Sequence, residues 1–238
     1  MKYFFFCLFI IKLSFANSQD LFNSITDTRN VYTLNAYDLS GNPIPTGNQA
    51  GIEGSKMLMD QFVKGIVKFK NGKIYRDVQL NLSLTGNEVY FKKDSITMAF
   101  FNPVDEFALT DNSNSNGKIT YFKSGYPAVG TNTNKSFYQV LSKGSKICLL
   151  KYIYKTAKEH YEYGGPLKKE YVVKENYYFY DVLNNKMSEI NLSTNSIKKS
   201  LSAYTVIVKQ FLSLNKPNLK REENVISLID FINQQSQS

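Results

Sequence analysis

An Asn-Gly pair between two alternating apolar runs constrains the fold of this chain more than any other feature. Asn71-Gly72 separates a run that begins at Phe62 from one that ends at Leu84. Asn and Gly both tolerate positive φ, which a two-residue hairpin loop requires. Such a loop pairs Lys70 with Lys73, so the sequence predicts an antiparallel hairpin here.

The predicted register assigns side chains to the two faces of this hairpin. It places Val63 opposite Leu80, and Arg76 opposite Val67, where Arg76 should reach the sheet edge or an acid. The predicted apolar face holds Val63, Val67, Phe69, Ile74, Val78, Leu80, Leu82 and Leu84, and the predicted polar face holds Tyr75, Asp77, Gln79, Asn81 and Ser83.

Further strands are predicted wherever β-forming residues lie between turn-forming stretches. A polar turn at residues 160–166, which contains the single histidine, separates two of the longer strands. The predicted strands cover residues 88–92, 95–100, 104–110, 147–154, 171–182 and 186–192.

After Leu192 the apolar spacing changes to that of helices. Ser193 or Thr194 can cap a first helix, a second carries Tyr204 and Phe211, and a third covers residues 222–233. The predicted fold class is therefore α+β and mainly β: an antiparallel meander that forms a large sheet or open barrel, followed by a small C-terminal helical cap.

The beginning of the chain has the pattern of a secretory signal. Lys2 precedes an apolar run at residues 3–11, and Ser14-Phe15-Ala16 offers small residues where a signal peptidase reads. The run is shorter than the ~20 residues that span a bilayer, and no later segment is long enough to do so. The predicted domains are a signal peptide (1–16), an extended polar N-terminal arm (17–56), an antiparallel β domain (57–192) and C-terminal helices packed on it (193–238).

Cleavage near Ala16 predicts a soluble exported protein of the periplasm or exterior, and it changes the composition. The formal charge falls from +9 to +7, because Lys2 and Lys12 leave with no acid. Moderate positive charge suits an unknown protein partner or an anionic envelope surface. The lysines form short scattered pairs rather than a stripe, so no nucleic acid is expected.

Few residues can support metal or nucleophilic chemistry. Cys7 lies inside the predicted signal, too early for lipid attachment, which leaves Cys148 and His160. Zinc sites usually need several such ligands. The loop after Asp111 lacks the later Glu of a calcium loop. The sequence thus predicts no cofactor and assigns no catalytic, cofactor-binding or metal-binding residue.

Adjacent acids and clustered tyrosines are the remaining candidates for a site in the sequence. Asp105 and Glu106 are adjacent, so regular strand geometry points them to opposite faces and prevents them from acting as a pair. Tyrosines crowd residues 171–180, and Tyr152 and Tyr154 add to them; these aromatics either fill a core or line a ligand cleft. The absence of tryptophan argues against a sugar-binding cleft.

The pattern resembles a group of small exported proteins of Bacteroidetes-type bacteria that have no established activity. The resemblance rests on Phe62-Val63-Lys64-Gly65-Ile66-Val67, Asn71-Gly72-Lys73, Val78-Gln79-Leu80-Asn81-Leu82, Phe137-Tyr138-Gln139-Val140-Leu141 before Gly144, and a Lys/Glu-rich helical tail. It covers most of residues 57–235. It implies an exported protein and carries over no functional residue.

These observations favour a non-enzymatic envelope or secreted protein that binds a partner or ligand through its sheet or helical cap. Two alternatives remain: a carboxylate-dependent hydrolase, and a carrier of an apolar ligand inside an open barrel. Two inward carboxylates about 5–9.5 Å apart in one cleft would favour the hydrolase. An enclosed apolar pocket indicates the carrier.

Overall fold

The computed structural model describes residues 33–34, 39–44, 51–111, 117–161 and 167–235. The predicted signal peptide, residues 1–16, lies outside this part of the chain. The described residues are mostly β-structure, and the large sheet they form is not closed and is followed by three α-helices. This architecture confirms the predicted fold class.

Thirteen strands lie in the described part of the chain and belong to one sheet. Their bounds are β1 Thr33–Leu34, β2 Gly41–Pro43, β3 Ile52–Glu53, β4 Val63–Phe69, β5 Ile74–Ser83, β6 Glu88–Lys93, β7 Ile96–Phe100, β8 Val104–Asp111, β9 Lys118–Lys123, β10 Tyr138–Ser142, β11 Ile147–Tyr161, β12 Leu167–Asp181 and β13 Lys186–Ile190.

The sheet contains two antiparallel meanders, the first formed by β4–β7 and the second by β8–β13. The pairing of β4 with β8 joins them. The strand order is β13-β12-β11-β10-β9-β8-β4-β5-β6-β7-β2. In a flat sheet β7 would lie four strand spacings, roughly 19 Å, from β8. The link from Phe100 to Val104 reaches at most about 14 Å. The first meander must therefore curl, which explains why the rings of Phe100 and Phe69 lie 5.2 Å apart.

The curled meander encloses the first apolar cluster, and alternation gives the sheet a second buried face. On β8, Phe107 belongs to the enclosed cluster while Ala108 belongs to a cluster on the opposite face. On β9, Phe122 and Tyr121 divide in the same way. Side chains therefore pack on both faces of the sheet near its centre.

The Asn71-Gly72 hairpin forms, but its loop has three residues rather than the predicted two. The Phe69 amide donates to the Lys73 carbonyl at 2.9 Å, so residues 70–72 form the loop. Gly72 has φ 86°, the left-handed conformation that ends such a loop. The prediction that Lys70 pairs with Lys73 was therefore wrong.

A bulge in β5 restores the predicted register farther from the loop. Lys68 pairs with Ile74 and Val67 with Tyr75, whereas Val63 pairs with Leu80 as predicted. The extra residue is absorbed where Asp77 adopts φ 55°. The bulge moves Ile74 to the second face and Tyr75 into the enclosed cluster, which corrects both assignments.

The bulge also corrects the position of Arg76, and a neighbouring segment covers the supposedly polar face. Arg76 lies within the bulge instead of opposite Val67. Asn81 is buried, and its amide donates to the carbonyls of Met59 and Gln61. Ser83 is buried as well. This face was predicted to meet water or a polar groove, and that holds for Asp77, which is exposed, and for Gln79, which lines a polar groove. The prediction was wrong for Asn81 and Ser83, because alternation along a strand does not reveal a segment that covers it.

The hairpin of β11 and β12 is longer than predicted. Each strand has 15 residues, and the register pairs Ile147 with Asp181 at one end and Tyr161 with Leu167 at the other. His160 therefore lies in a strand rather than in an exposed turn, while residues 162–166 lie outside the described part. The charged side chains near its end pair across the strands, as Glu159 does with Lys169 at 2.7 Å.

Three short segments of the predicted N-terminal arm pair with this sheet. β1 pairs parallel to β5, β3 pairs parallel to β12, and β2 extends the edge of the curled meander beside β7. Leu39 is buried in the enclosed cluster.

Three C-terminal helices pack on the sheet: α1 Thr194–Ser200, α2 Thr205–Asn215 and α3 Glu222–Gln234. Ser193 caps α1 as predicted, since its hydroxyl accepts from the Ser196 amide at 3.3 Å. Burial of an apolar cluster holds the helices to β11–β13. An ion pair between Lys151 and Glu222, 2.7 Å long, anchors the beginning of α3.

Candidate functional site

Six tyrosines form a network of contacting rings on the second face of the sheet. Their ring centroids are 5.1–5.7 Å apart, the distance at which aromatic pairs attract one another. We call this set the tyrosine cluster: Tyr126, Tyr138, Tyr152, Tyr154, Tyr178 and Tyr180.

Strand alternation and register explain why these tyrosines meet. Tyr152 and Tyr154 lie two residues apart on β11 and therefore point to the same face. The register places Asn176 directly opposite Tyr152, and Glu189 directly opposite Tyr178. Antiparallel partners share a face, so an amide and a carboxylate lie beside the tyrosine cluster.

The loop between β9 and β10 covers part of the cluster. Tyr126 from this loop is buried against Tyr138 and Tyr180. Asn132, also buried, donates its side-chain amide to the Tyr178 hydroxyl at 3.4 Å. The loop thus forms one wall of the space beside the tyrosines.

The opposite wall comes from the curled meander. The Asn87 side chain accepts from the Phe137 amide at 2.6 Å and donates to its carbonyl at 3.3 Å. These two bonds fasten the β5–β6 turn to the second meander. Next to the turn, the Tyr90 hydroxyl donates to Glu88 at 2.7 Å.

Between these walls lies an open cleft of about 980 Å³. This volume lies at the upper end of the range typical of small-molecule sites, about 300–1,000 Å³. The lining mixes aromatic rings with amide and hydroxyl groups, and its charged residues are two lysines, Lys70 and Lys135, and two glutamates, Glu88 and Glu189. The lining thus combines stacking surfaces with hydrogen-bonding groups and carries no net charge.

Burial moves the ionisation of the tyrosine hydroxyls in this region further above neutral pH. It raises the pKa of Tyr138 to about 12, and burial followed by the hydrogen bond to Glu88 raises the pKa of Tyr90 to about 12. Burial also raises the pKa values of Tyr152 and Tyr178. These hydroxyls are therefore uncharged donors and acceptors at neutral pH.

Tyr138 stands behind the cleft and has an unusual hydroxyl. The side chain is fully buried, and its oxygen makes no hydrogen bond with the described residues. The Asn132 amide lowers the pKa of Tyr138 and so offsets part of the effect of burial. The hydrogen bond of this amide goes to the Tyr178 hydroxyl. A buried hydroxyl without a partner costs free energy. The Tyr138 hydroxyl is therefore a polar group that the described residues leave unsatisfied.

The two residues with the most reactive side chains lie far from each other. Cys148 and His160 are twelve residues apart on β11, a separation of about 40 Å. Cys148 is buried, and burial raises the pKa of its thiol. His160 Nδ1 lies 4.0 Å from Glu170. In the described residues, no three His, Cys, Asp or Glu side chains gather to hold a metal ion.

Asp105 and Glu106 contact the same lysine, although regular strand geometry points them to opposite faces. A bulge at Asp105 interrupts the pairing of β8 with β4. As a result Lys123 contacts both carboxylates, at 3.8 Å for Asp105 and 3.1 Å for Glu106. Glu106 also accepts from Lys68 at 2.8 Å and from the Tyr121 hydroxyl. These contacts occupy Glu106, which is therefore a structural group.

The tyrosines stand out in the sequence, whereas the polar partners that make a cleft of them do not. Asn87, Asn132, Asn176 and Glu189 come from four distant segments. One local signal was present, since Asn176, Tyr178 and Tyr180 alternate along β12 with the helix-facing residues. The others required knowledge of the fold.

Comparison with known proteins identifies no relative. Neither a family model nor a curated protein nor a solved structure matches the chain. Among the described residues, no helix is both long and apolar enough to cross a membrane. The functional assignment therefore depends on the chemistry of the cleft itself.

Proposed function

We propose that this chain is an exported, non-enzymatic binding protein whose ligand occupies the tyrosine-lined cleft. The observation that carries the proposal is the cleft itself: about 980 Å³, open to solvent, and lined by rings, amides and hydroxyls. Tyrosines present a rigid apolar body and a polar tip, which makes them effective in binding surfaces. The register-matched pairs Tyr152–Asn176 and Tyr178–Glu189 form its floor.

A ligand screen tests this proposal by thermal unfolding. Glycans, peptides, fatty acids and nucleotides are added to the wild type and to a Tyr154→Ala/Asn176→Ala double variant. Saturation at about 100 Kd stabilises the native state by about 2.7 kcal/mol. In a chain of this size, that should raise the Tm of the wild type by about 5 °C or more. We expect the double variant to lose most of this rise.

Tyr161→Ala is the matched control for the screen. Tyr161 is 77% exposed, lies at the end of β11 and takes no part in the cleft. The control should respond to ligand like the wild type. If no class raises the Tm, or if the double variant responds as strongly as the wild type, the cleft is not the binding site.

Export is the second part of the proposal, and residues 1–16 support it with their charged start, apolar run and small residues before the expected cut. We expect the exported protein to begin near Asn17, which N-terminal sequencing of the secreted or periplasmic fraction measures. An exported form that still begins at Met1 would contradict signal cleavage.

A second function for the same cleft would need two carboxylates. Glu88 and Glu189 both line it, and glycoside hydrolysis uses two carboxylates about 5–9.5 Å apart. If the protein cleaves a ligand, and both Glu88→Gln and Glu189→Gln abolish cleavage, the hydrolase replaces the binding protein. The apolar carrier has less support, since the cleft is open to solvent rather than enclosed.

A further inference from the structure

We infer that the occupant of the cleft is an uncharged carbohydrate chain. This inference rests on the proposed function, since it names the ligand class for the same cleft. Three properties of the lining point to it: the balance of charge, the arrangement of the rings, and the type of polar group beside them.

The charge of the lining argues against anionic ligands. Lys70 and Lys135 are matched by Glu88 and Glu189. A groove for nucleic acid or another polyanion needs an excess of basic residues along its length. An apolar ligand would in turn need an enclosed apolar cavity, and the amides and carboxylates here would lose their water without gaining partners. A neutral polar ligand avoids both costs.

The rings of Tyr152 and Tyr154 lie in contact with each other, and both line the cleft. Their centroids are 5.6 Å apart and their planes differ by 30°. Both residues are half-buried, so part of each ring remains accessible. A sugar ring has faces of C–H groups and a rim of hydroxyls, and it packs against an aromatic face with the rim left free. The tyrosines thus provide the stacking surface that the absence of tryptophan had argued against.

The polar groups beside the rings match hydroxyls in particular. An amide side chain offers both donors and an acceptor, as a sugar hydroxyl does. Asn176 lies directly opposite Tyr152, within reach of a ligand stacked on that ring. Asn132 holds the Tyr178 hydroxyl by a bond of 3.4 Å, a long one. A ligand hydroxyl can replace so long a bond at little cost.

Calorimetric titration of the purified protein with neutral oligosaccharides tests the inference. The probes are hexasaccharides of β-1,4-glucan, α-1,4-glucan, xylan, mannan and chitin. We expect at least one to bind, with an affinity that changes less than about twofold between about 50 and 500 mM salt, since no counterions are released.

Tyrosine variants distinguish stacking from a general loss of structure. Loss of an aromatic stacking partner should weaken binding about tenfold or more in Tyr154→Ala. Tyr154→Phe keeps the ring and should bind within about threefold of the wild type. Tyr161→Ala should bind like the wild type. If Tyr154→Ala fails to fold, Asn176→Ala, which should also lose affinity, replaces it.

Comparison probes separate this inference from the proposal on which it rests. Heparin octasaccharide, palmitate and a neutral hexapeptide are titrated into the same variants. If one of these binds in a Tyr154-dependent way and no neutral glycan does, the carbohydrate inference fails while the binding function stands. If no probe depends on Tyr154 or Asn176, both fail. Glycan binding that ignores both variants would place the sugar elsewhere and overturn the inference.

Discussion

At the scale of single residues, one glycine and one asparagine form a close contact between the last helix and the sheet. The Asn233 side chain of α3 accepts from the amides of Lys146 and Ile147 and donates to the carbonyl of Ile147. Gly144 lies against this amide, and a Cβ there would overlap it. The missing side chain of Gly144 leaves room for the contact.

Gly144→Ala should therefore destabilise the protein by about 1–3 kcal/mol, the usual cost of overpacking. Urea unfolding measures the change. Gly86→Ala is the control, since a Cβ there would lie 3.6 Å or more from its nearest neighbours, the atoms of Glu88. The control should stay within about 0.5 kcal/mol of the wild type. Equal stabilities for all three proteins would contradict the packing.

Combining Gly144→Ala with Asn233→Ala examines the same contact further. Each change removes or obstructs the same amide, so their costs should not add. An additive double variant would indicate that Gly144 and Asn233 act independently.

At the scale of elements, two constraints set the register of the first hairpin: the geometry of its turn and the pattern of its apolar residues. Its apolar pattern requires Val63 to face Leu80, and that pair is present. The loop contains three residues, and this alone would shift the pairing of the strands by one residue. The β5 bulge at Asp77 cancels the shift. The apolar pattern therefore determines the distant pairing, and turn geometry determines the pairing near the loop.

Substitution of Gly72 tests the element directly. Gly72→Val should cost on the order of 1 kcal/mol or more, because a β-branched residue resists the φ of 86°. Gly72→Asn should cost less, since Asn tolerates the left-handed region. Denaturant unfolding of the two variants and the wild type gives the comparison. A Val variant as stable as the wild type would rule out this loop conformation.

At the scale of the whole molecule, the pairing of β4 with β8 joins the two meanders, and a buried carboxylate lies on it. Glu106 of β8 pairs in register with Lys68 of β4 and also contacts Lys123 of β9. Burial alone would raise the pKa of Glu106. The hydrogen bonds from Lys68 and Tyr121 and the charge of Lys123 outweigh burial, so this pKa lies below its ordinary value of 4.5.

The lowered pKa predicts a loss of stability in acid. Glu106 contributes its full stabilisation above the unfolded pKa near 4.5, and the contribution falls as the pH drops through the lower folded value. Glu106→Gln should lose about 1–3 kcal/mol at neutral pH, and the difference from the wild type should shrink in acid. Unfolding measured from pH 7 to pH 3 gives both quantities.

Glu159→Gln provides the control for this experiment. Glu159 forms a comparable ion pair with Lys169, but its side chain is 52% exposed, and exposed pairs contribute little. Its stability should differ from the wild type by less than about 0.5 kcal/mol at neutral pH. If Glu106→Gln behaves in the same way, the buried carboxylate does not stabilise the junction.

The sequence by itself determined the mainly β class, the hairpin at Asn71-Gly72 and the C-terminal helices, and it narrowed the cap of the first helix to Ser193 or Thr194. These follow from local spacing, since a strand or helix must direct its apolar side chains to one side. It also showed that one histidine and two cysteines leave few ligands for a zinc site. It did not predict β9 and β10, which are short strands beside polar stretches.

Only the tertiary structure decided where the cleft lies. Tyr152 lies opposite Asn176 because β11 and β12 pair in one register, and Asn87 reaches Phe137 because the first meander curls. Neither contact leaves a local pattern, because the energy that selects it comes from segments separated by many residues. The polar partners that turn a tyrosine-rich face into a candidate binding site were therefore visible only in the fold.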